Sequence, residues 1–437
     1  MNNFVGRLKG TLTKIIRKMS ETKDLFVKCP EKDFSRKRKL PFDEVISIVV
    51  SMGGNSVKKE LYEAYDYDPD TATTSAFIQQ RDKIDPYAFK HLFNEFTGSF
   101  EYQKLYKGFR VFAVDGSDIH IPTNPDDKET HVKSQPTDKG YNLCHLNALY
   151  DLQSRVYVDA IVKTKADANE RQVLTELVRD SAVDGDVIIT ADRGYENYNT
   201  FAHIERKGWK YVIRVKDIDS NGVISYLNLP KSGEFDITLR RTLTRSNAKE
   251  IKENPDYYRR VPGHTVFDFL DKDNKFYAIE FRVVRFILPD GSYKTVVTNL
   301  SENSFTADEI KYVYSLRWGV ETSFRKLKHT VGLLNFHSKK RDHVLQEIYA
   351  RLVMYNFVEM AASHAVISKG RKQHAHRVNF TAALLACRRF LRICGNISSN
   401  DIEALICKNT VPIRLDRDKF PCKPNFRSAV CFVYRVA

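Results

Sequence analysis

The amino-acid sequence predicts a mixed α/β protein in which helices pack in layers on a β-sheet. Residues 1–104 are predicted to be mostly helical, because apolar residues recur there at helical spacing. From Phe109 the period changes, and three strand-like runs precede a helix, a strand, a second helix and a further strand. Residues 218–300 are rich in strand-like runs separated by the turn signals KDN and PDG.

The N-terminal part contains several predicted helices. Its first helix carries an apolar stripe, with basic side chains elsewhere, which favours docking or DNA contact over a membrane surface; the stripe is Phe4, Leu8, Leu12, Ile15 and Met19. Two short helices follow in the segments SVKKELYEAY and TTSAFIQQRDKI, separated by the polar run DYDPDTA. Such a pair allows a unit similar to a helix-turn-helix, so residues 1–105 are predicted to be a helical DNA-binding region.

The central part alternates between strands and helices. Its first strands are predicted in the segments FRVFAVD, NLCHLNALYDL and RVYVDAIV. The helix DANERQVLTELVRDSA, the strand DVIITAD, the helix ENYNTFAHIERKG and the strand WKYVIRV come next. Beyond residue 300 the chain is predicted to be helical again, and from residue 371 it becomes a basic tail that is helical at first.

The charge distribution indicates an anionic partner. The net charge is +15, and 42% of the residues are hydrophobic, as in a folded globular protein. Residues 1–40 carry 12 basic and 4 acidic side chains, residues 365–437 carry 14 and 4, and the middle is close to neutral. Basic ends around a near-neutral centre favour a protein that binds nucleic acid with its ends.

Other bulk features exclude several classes of protein. The 7 cysteines are scattered without a CxxC pair, which argues against a disulfide framework and against a structural zinc site. No run of 18 apolar residues occurs, so no membrane span is predicted. We therefore expect a cytoplasmic protein.

The segment VYSLRWGVETSFRKLKHTV, from Val313 to Val331, is predicted to be one amphipathic helix. At about 100° per residue, one side is apolar and contains Val313, Leu316, Val320, Phe324, Leu327 and Val331. The other side aligns Tyr314, Arg317, Glu321 and Lys328, with Arg325 and Trp318 at its edge. A single carboxylate among cations suits a metal site beside a phosphate, although an ordinary surface helix remains the alternative.

Two further carboxylates follow buried strands. Asp115 in FAVDGSD and Asp192 in IITADRGYE each come at the end of an apolar run, where the acid can emerge at the rim of a sheet. Gly116 leaves room for an ion or for backbone to approach. Turn or cap roles are the alternative for both acids. Asp118 is interpreted as a turn residue, and Glu170 as an acid that favours a helix start.

The spacing Tyr314-x2-Arg317-x3-Glu321-x6-Lys328 resembles the YREK signature of DDE transposases of the insertion-sequence-four (IS-four) type. The strings DGS, DRGYEN and SAFIQQR are also similar to that family. The resemblance implies a ribonuclease-H-like core, formed by residues 106–216 and 301–370. It also implies a β-rich insertion at 217–300, between the second Asp and the Glu, and it leaves 371–437 as the basic C-terminal region.

The resemblance also implies the chemistry. Asp115, Asp192 and Glu321 would be catalytic and would hold two Mg²⁺ ions, with Mn²⁺ as a substitute. Tyr314, Arg317 and Lys328 would bind phosphate near the transposon end, with Arg325 beside them. Relatives cut through a hairpin and flip one end base. Where a stacking tryptophan is expected before TNL, this sequence has Lys294, and the adjacent Tyr293 is the substitute.

The predicted function is that of a DNA transposase, which binds terminal inverted repeats and joins the cut ends to target DNA. Its partners would be double-stranded DNA at the element ends and at the target, and a second copy of the chain in a paired-end complex. A ribonuclease-H-like nuclease, or a domesticated derivative that does not transpose, is the first alternative. A DNA-binding regulator without catalysis is the second.

Overall fold

The computed structural model describes residues 4–101, 104–133, 135, 137–167, 169–365, 375–395 and 397–413. Its N-terminal part is helical and contains α1 (Phe4–Glu21), α2 (Phe42–Ser51), α3 (Val57–Ala64), α4 (Thr74–Arg81) and α5 (Tyr87–Gly98). The apolar stripe of α1 is largely buried, so this helix docks on the rest of the protein. Helices α3 and α4 begin at Ser56 and Thr73, whose side chains cap free backbone N–H groups.

The central part contains both strands and helices in the order that the sequence predicts. The elements are β1 (Arg110–Ile121), β2 (His131–Val132), β3 (Tyr141–Asp151), β4 (Val156–Thr164), α6 (Glu170–Arg179), β5 (Val187–Ala191), α7 (Tyr198–Arg206) and β6 (Lys210–Val215). β3 pairs antiparallel with both β1 and β4, whereas β1, β5 and β6 run parallel to one another. The two-residue β2 extends the β3 edge. The mixed α/β fold class is therefore confirmed.

The segment predicted as a β-rich insertion continues the same sheet. It forms β7 (Phe235–Thr244), α8 (Lys249–Glu253), β8 (Tyr258–Arg260), β9 (Phe276–Ile287) and β10 (Tyr293–Thr298). Strand β10 lies between β6 and β9 and pairs antiparallel with both. The sheet order is β2-β3-β1-β5-β6-β10-β9-β7-β8, with β4 beside β3. Whether 217–300 is a separate domain stays a prediction, as do the other domain boundaries.

The last part of the chain is mainly helical. It contains α9 (Ala307–Leu316), α10 (Trp318–Arg325), α11 (Arg341–His364), β11 (His376–Val378), α12 (Phe380–Leu391), α13 (Ser399–Lys408) and β12 (Thr410–Pro412). Helix α11 is buried on all sides over most of its length and packs against α2, α5, α12 and β4. Residues 371–374 and 414–437 of the predicted basic tail lie outside the described residues. Among the described helices, none has the length and apolar character needed to cross a bilayer.

A buried ionic network joins the N-terminal helices to α11. Arg81, at the end of α4, is 2% exposed, and its Nη1 lies 3.1 Å from Oε1 of Glu347. Its Nε donates to Gln346, and its Nη2 donates to the carbonyl of His343. Glu347 also contacts Nδ1 of His337 at 2.9 Å. A buried charge needs such partners, so this network fixes how α4 sits on α11.

Glu205 on α7 provides a test of stability that is independent of function. Burial raises the pKa of its carboxyl to about 7, although the Tyr211 hydroxyl donates to it and opposes this. Because the folded protein holds this proton more tightly than the unfolded chain, stability falls as pH rises from about 4.5 to about 7. Glu205→Gln should therefore increase the free energy of unfolding at pH 8 by about 1–3 kcal/mol.

Urea denaturation at pH 8 and pH 4 measures this effect. The gain of Glu205→Gln should disappear at pH 4, where the carboxyl is protonated in both states. Glu95→Gln is a matched control, because Glu95 is exposed on α5. An equal change at both pH values would contradict the assignment to the Glu205 proton.

Candidate active site

Asp115 and Asp192 lie side by side on neighbouring parallel strands. In the pairing of β1 with β5, Ala113 is opposite Thr190, and each aspartate comes two residues later in its own strand direction. The sequence predicts that Asp115 ends its strand. This prediction is wrong, because pairing with β3 continues β1 to Ile121. Asp118 is for the same reason a strand residue and not a turn residue. Asp192 does follow the end of β5 and caps a short 3₁₀ turn.

Glycines beside both aspartates allow side chains of other elements to approach closely. Oδ1 of Asp115 accepts a hydrogen bond from Gly116 N at 3.0 Å, and Oδ1 of Asp192 accepts one from Gly194 N at 2.7 Å. A Cβ atom on Gly116 would stand only 2.3 Å from Nε2 of His145. On Gly194 it would stand 2.8 Å from a Glu170 oxygen, so neither position accepts a side chain without movement.

The third carboxylate, Glu321, lies on α10. The predicted single helix is interrupted in two places: α9 ends at Leu316, and the stretch Lys326–Thr330 is wound as a wider π-helix. At the first interruption, Arg317 N donates to the Tyr314 carbonyl, a contact three residues apart that tightens the turn. The motif residues therefore do not follow the regular 100° spacing of a continuous helix.

The apolar side of this helical segment packs as predicted. Val313, Val320, Phe324, Leu327 and Val331 are buried. Gly319 brings α10 close to the turn after β3, since a Cβ there would stand 2.9 Å from Leu152. Trp318, at the edge of the motif side, does not pack in the core, because the residue is 57% exposed. It follows the interrupted turn at Arg317, and the Arg317 guanidinium lies 5.5 Å from its ring centre.

The three acids are electrostatically coupled. Burial raises the pKa of Asp115 to about 6; the charges of Asp192 and Glu321 add to the rise, and Arg317 opposes it. Nη2 of Arg317 lies 2.7 Å from Oε1 of Glu321, so the guanidinium partly neutralises the group. The three carboxylates come from β1, the end of β5 and α10, which is how a site with converging oxygen ligands is built.

The donor set suits a hard divalent cation, which takes carboxylate oxygens as ligands. In the described part of the chain, however, no three histidine, cysteine or acidic side chains stand close enough together to hold a metal ion. Glu321 is instead engaged by Arg317. This contact uses Oε1 of Glu321.

The predicted phosphate-binding residues lie around this centre but differ in exposure. Tyr314 and Arg317 are buried, and Nε of Arg317 has no hydrogen-bond partner among the described residues. Lys328 is half-buried and donates from Nζ to the Asp118 carbonyl at 2.7 Å. Burial lowers its pKa, against the influence of Asp118 and Asp115. Arg325 is exposed.

Tyr293 belongs to a basic pocket that the sequence analysis did not identify. The cavity has a volume of about 370 Å³ and is lined by the cations Arg193, Arg214, Lys216 and Lys294, with Asp217 and Tyr293 beside them. Nζ of Lys294 also lies 5.5 Å from the Tyr314 ring centre, which connects the pocket to the motif helix. Burial and the charges of Arg214 and Arg317 lower the pKa of Lys294.

Only part of this pocket had a signal in the sequence. Arg193 directly follows Asp192. Lys294 occupies the position at which the family resemblance predicts a tryptophan. Arg214 and Lys216 lie at the end of β6, and nothing local in the sequence shows that β10 pairs with that strand. The guanidinium of Arg285 covers the Tyr293 ring at 3.9 Å, and Asp217 accepts two hydrogen bonds from the same Arg285.

Comparisons with known proteins show the family of the chain. No curated protein matches the chain. A cryo-EM structure of a piggyBac transposase synaptic complex with hairpin DNA is similar, with a TM-score of 0.43 and 12% identity, covering 94% of this chain and 85% of that chain. The family model described as the transposase DDE domain matches residues 106–357, which is more than half of the chain. The chain therefore belongs to the transposase DDE domain family.

Proposed function

We propose that the protein is the DNA transposase of an insertion sequence of the IS-four type, with Tyr314, Arg317, Glu321 and Lys328 as its YREK signature. It would have a ribonuclease-H-like core and would act on the terminal inverted repeats of its own element. The observation that carries the proposal is the coupling of Asp115 to both Asp192 and Glu321 next to Arg317. The family match supports DNA transposition as the general activity.

Asp115, Asp192 and Glu321 would hold two Mg²⁺ ions, or Mn²⁺ in their place. Bound there, the ions would activate the attacking oxygen and neutralise the charge on the leaving oxygen, both in phosphodiester cleavage and in strand transfer. In the chain itself, Asp115 must lose its proton before it can bind a cation. The rigid pairing of β1 with β5 holds the two aspartates at a fixed separation, so that Glu321 is the ligand that moves.

Arg317 would exchange partners when DNA binds. In the free protein it pairs with Glu321, and no described residue provides an acceptor for its buried Nε. A DNA phosphate can accept from a guanidinium through two oxygens at once. Transfer of Arg317 to a phosphate would release Glu321 toward the divalent cation. Formation of the metal site would thereby be linked to the presence of substrate.

The basic pocket extends the proposed DNA-binding surface. Arg193, Arg214, Lys216 and Lys294 present more positive charge than the neighbouring Asp217 can balance. Such a cluster suits the backbone of the terminal nucleotides, and Tyr293 is the proposed stacking partner for an end base. Cutting through a hairpin would use this stacking. We also propose that two copies of the chain act together on paired ends, as cleavage and joining of both ends requires.

An excision assay tests the proposed function. The donor plasmid would carry the DNA that flanks the coding sequence on both sides, and the purified protein would be supplied with Mg²⁺. We expect cuts at both junctions and products joined to a target plasmid, with Mn²⁺ as a substitute and loss of both in EDTA. Cuts without joined products would favour a nuclease instead. DNA binding without cuts would favour a regulator.

A further inference from the structure

A buried histidine connects two acids close to the proposed catalytic centre. His145 on β3 stands opposite Asp118 on β1 and is 6% exposed. Its Nδ1 lies 2.6 Å from Oδ1 of Asp118. Asp118 is also held by Lys165, whose Nζ lies 2.9 Å from Oδ2, and its carbonyl accepts from Lys328. With these partners, Asp118 is an anchor for the ring of His145.

The second ring nitrogen of His145 is directed toward Glu170. Nε2 lies 3.6 Å from Oε1 of Glu170, within the range of an ion pair but beyond hydrogen-bond distance. Nε2 is buried, and no described residue provides it with a hydrogen-bond partner. Glu170 opens α6, which Asn169 already caps by accepting from Gln172 N. The cap of this helix therefore does not depend on the Glu170 carboxylate.

The Glu170 carboxylate lies between the two segments that carry the aspartates. Its Oε1 is 3.1 Å from the position that a Cβ on Gly116 would occupy, directly after Asp115. Its Oε2 is 2.8 Å from the corresponding position on Gly194, and Oδ1 of Asp192 is 3.0 Å from that same point. Because Oε2 of Glu170 and Oδ1 of Asp192 both lie so near the Cβ position on Gly194, these two oxygens are separated by less than about 6 Å. This is the distance across which one water molecule can bridge two acids.

We propose that Glu170 is a fourth acidic residue of the catalytic centre and that His145 positions it there, an inference that rests on the proposed function. Glu170 would accept hydrogen bonds from water that accompanies the divalent cations and would add negative charge beside Asp192. His145 is held by Asp118 through Nδ1 and would orient the Glu170 carboxylate through Nε2. Supporting groups of this kind usually change metal affinity by about 10–100-fold when they are removed.

Metal affinity of the full-length protein provides the test. Mn²⁺ binding to the wild type, Glu170→Gln and His145→Gln would be measured by electron paramagnetic resonance on each protein bound to a short duplex from the DNA that flanks the coding sequence, with the duplex alone as the blank. We expect about tenfold weaker binding, or more, in each variant. Glu176→Gln is the matched control, because Glu176 lies on the same helix and pairs with Lys163 at 2.9 Å. Its Mn²⁺ affinity should equal that of the wild type.

A double variant separates positioning from a structural role. If His145 acts through Glu170, Glu170→Gln combined with His145→Gln should bind Mn²⁺ no more weakly than Glu170→Gln alone. The Mg²⁺ concentration for half-maximal DNA cleavage should rise by the same factor as the Mn²⁺ dissociation constant. A lower melting temperature with unchanged metal affinity would show a structural role only, and would overturn the inference.

The outcome also distinguishes this inference from the proposed function. If Asp115→Asn abolishes Mn²⁺ binding while both Glu170→Gln and His145→Gln stay within twofold of the wild type, only the role of Glu170 and His145 is wrong. If the wild type binds no Mn²⁺ and does not cleave its flanking DNA, the proposed function fails, and the inference fails with it.

Discussion

Glu321→Gln should reduce DNA cleavage by roughly 1,000-fold, because a glutamine oxygen carries no charge to hold a divalent cation at the scissile phosphate. Loss of about 4 kcal/mol of transition-state stabilisation corresponds to this factor. Binding to element-end DNA should persist, since Arg317 is then released from its 2.7 Å ion pair and becomes free for phosphate. Single-turnover cleavage and a gel-shift titration of the same DNA measure the two effects.

The control for this variant is Glu302→Gln. Glu302 is exposed in the loop between β10 and α9, and its carboxylate accepts only a surface hydrogen bond from Thr238. Its cleavage rate should match that of the wild type. Normal cleavage by Glu321→Gln would refute the assignment of the third carboxylate, and with it the interpretation of the motif helix.

Arg81→Met should destabilise the protein by about 3–5 kcal/mol, the usual cost of removing one partner from a buried ion pair. The change removes the closer of two guanidinium contacts of Glu347, which is 1% exposed; Arg351 remains, with Nη2 3.5 Å from Oε2. It also removes the hydrogen bonds from Arg81 to Gln346 and to the His343 carbonyl. Chemical denaturation followed by circular dichroism gives the free energy of unfolding.

A second substitution should reverse much of this loss. Arg81→Met combined with Glu347→Gln removes the charge that Arg81→Met leaves unpaired, and the glutamine oxygen can still accept from the backbone N–H of His337. Arg179→Ala is the surface control, because Arg179 contacts Asp180 where both side chains are 60% exposed; its effect should stay within about 1 kcal/mol. A loss of less than about 1 kcal/mol in Arg81→Met would contradict the role of the network.

Local patterns predicted the fold class because the central strands are short, apolar and bounded by polar turns. They could not give the full length of β1, since its second half is half-exposed and is held as a strand only by pairing with β3. Nor could they show where Arg81 lies. A basic residue at the end of a short helix resembles a surface residue until α11 supplies Glu347.

The candidate site was predictable to the extent that it depends on spacing along the chain. Asp115, Asp192 and Glu321 follow from strand ends and from the motif, although their catalytic and metal-binding roles stay predictions. The exposure of Trp318 was not predictable, because the helix is interrupted at Arg317. Glu170 and His145 come from an ordinary helix start and an ordinary strand. Only the packing of α6 and β3 around Gly116 and Gly194 brings them together.

The position of β10 has a consequence for shortened forms of the protein. β10 supplies the hydrogen bonds along one side of β6, and the chain passes directly from it to the loop that leads into α9. Deleting all of residues 217–300 would expose β6 as a bare sheet edge, which is a template for aggregation. A minimal catalytic fragment must therefore retain β10. Residues can be deleted only from the strands that lie beyond it in the sheet, which are β9, β7 and β8.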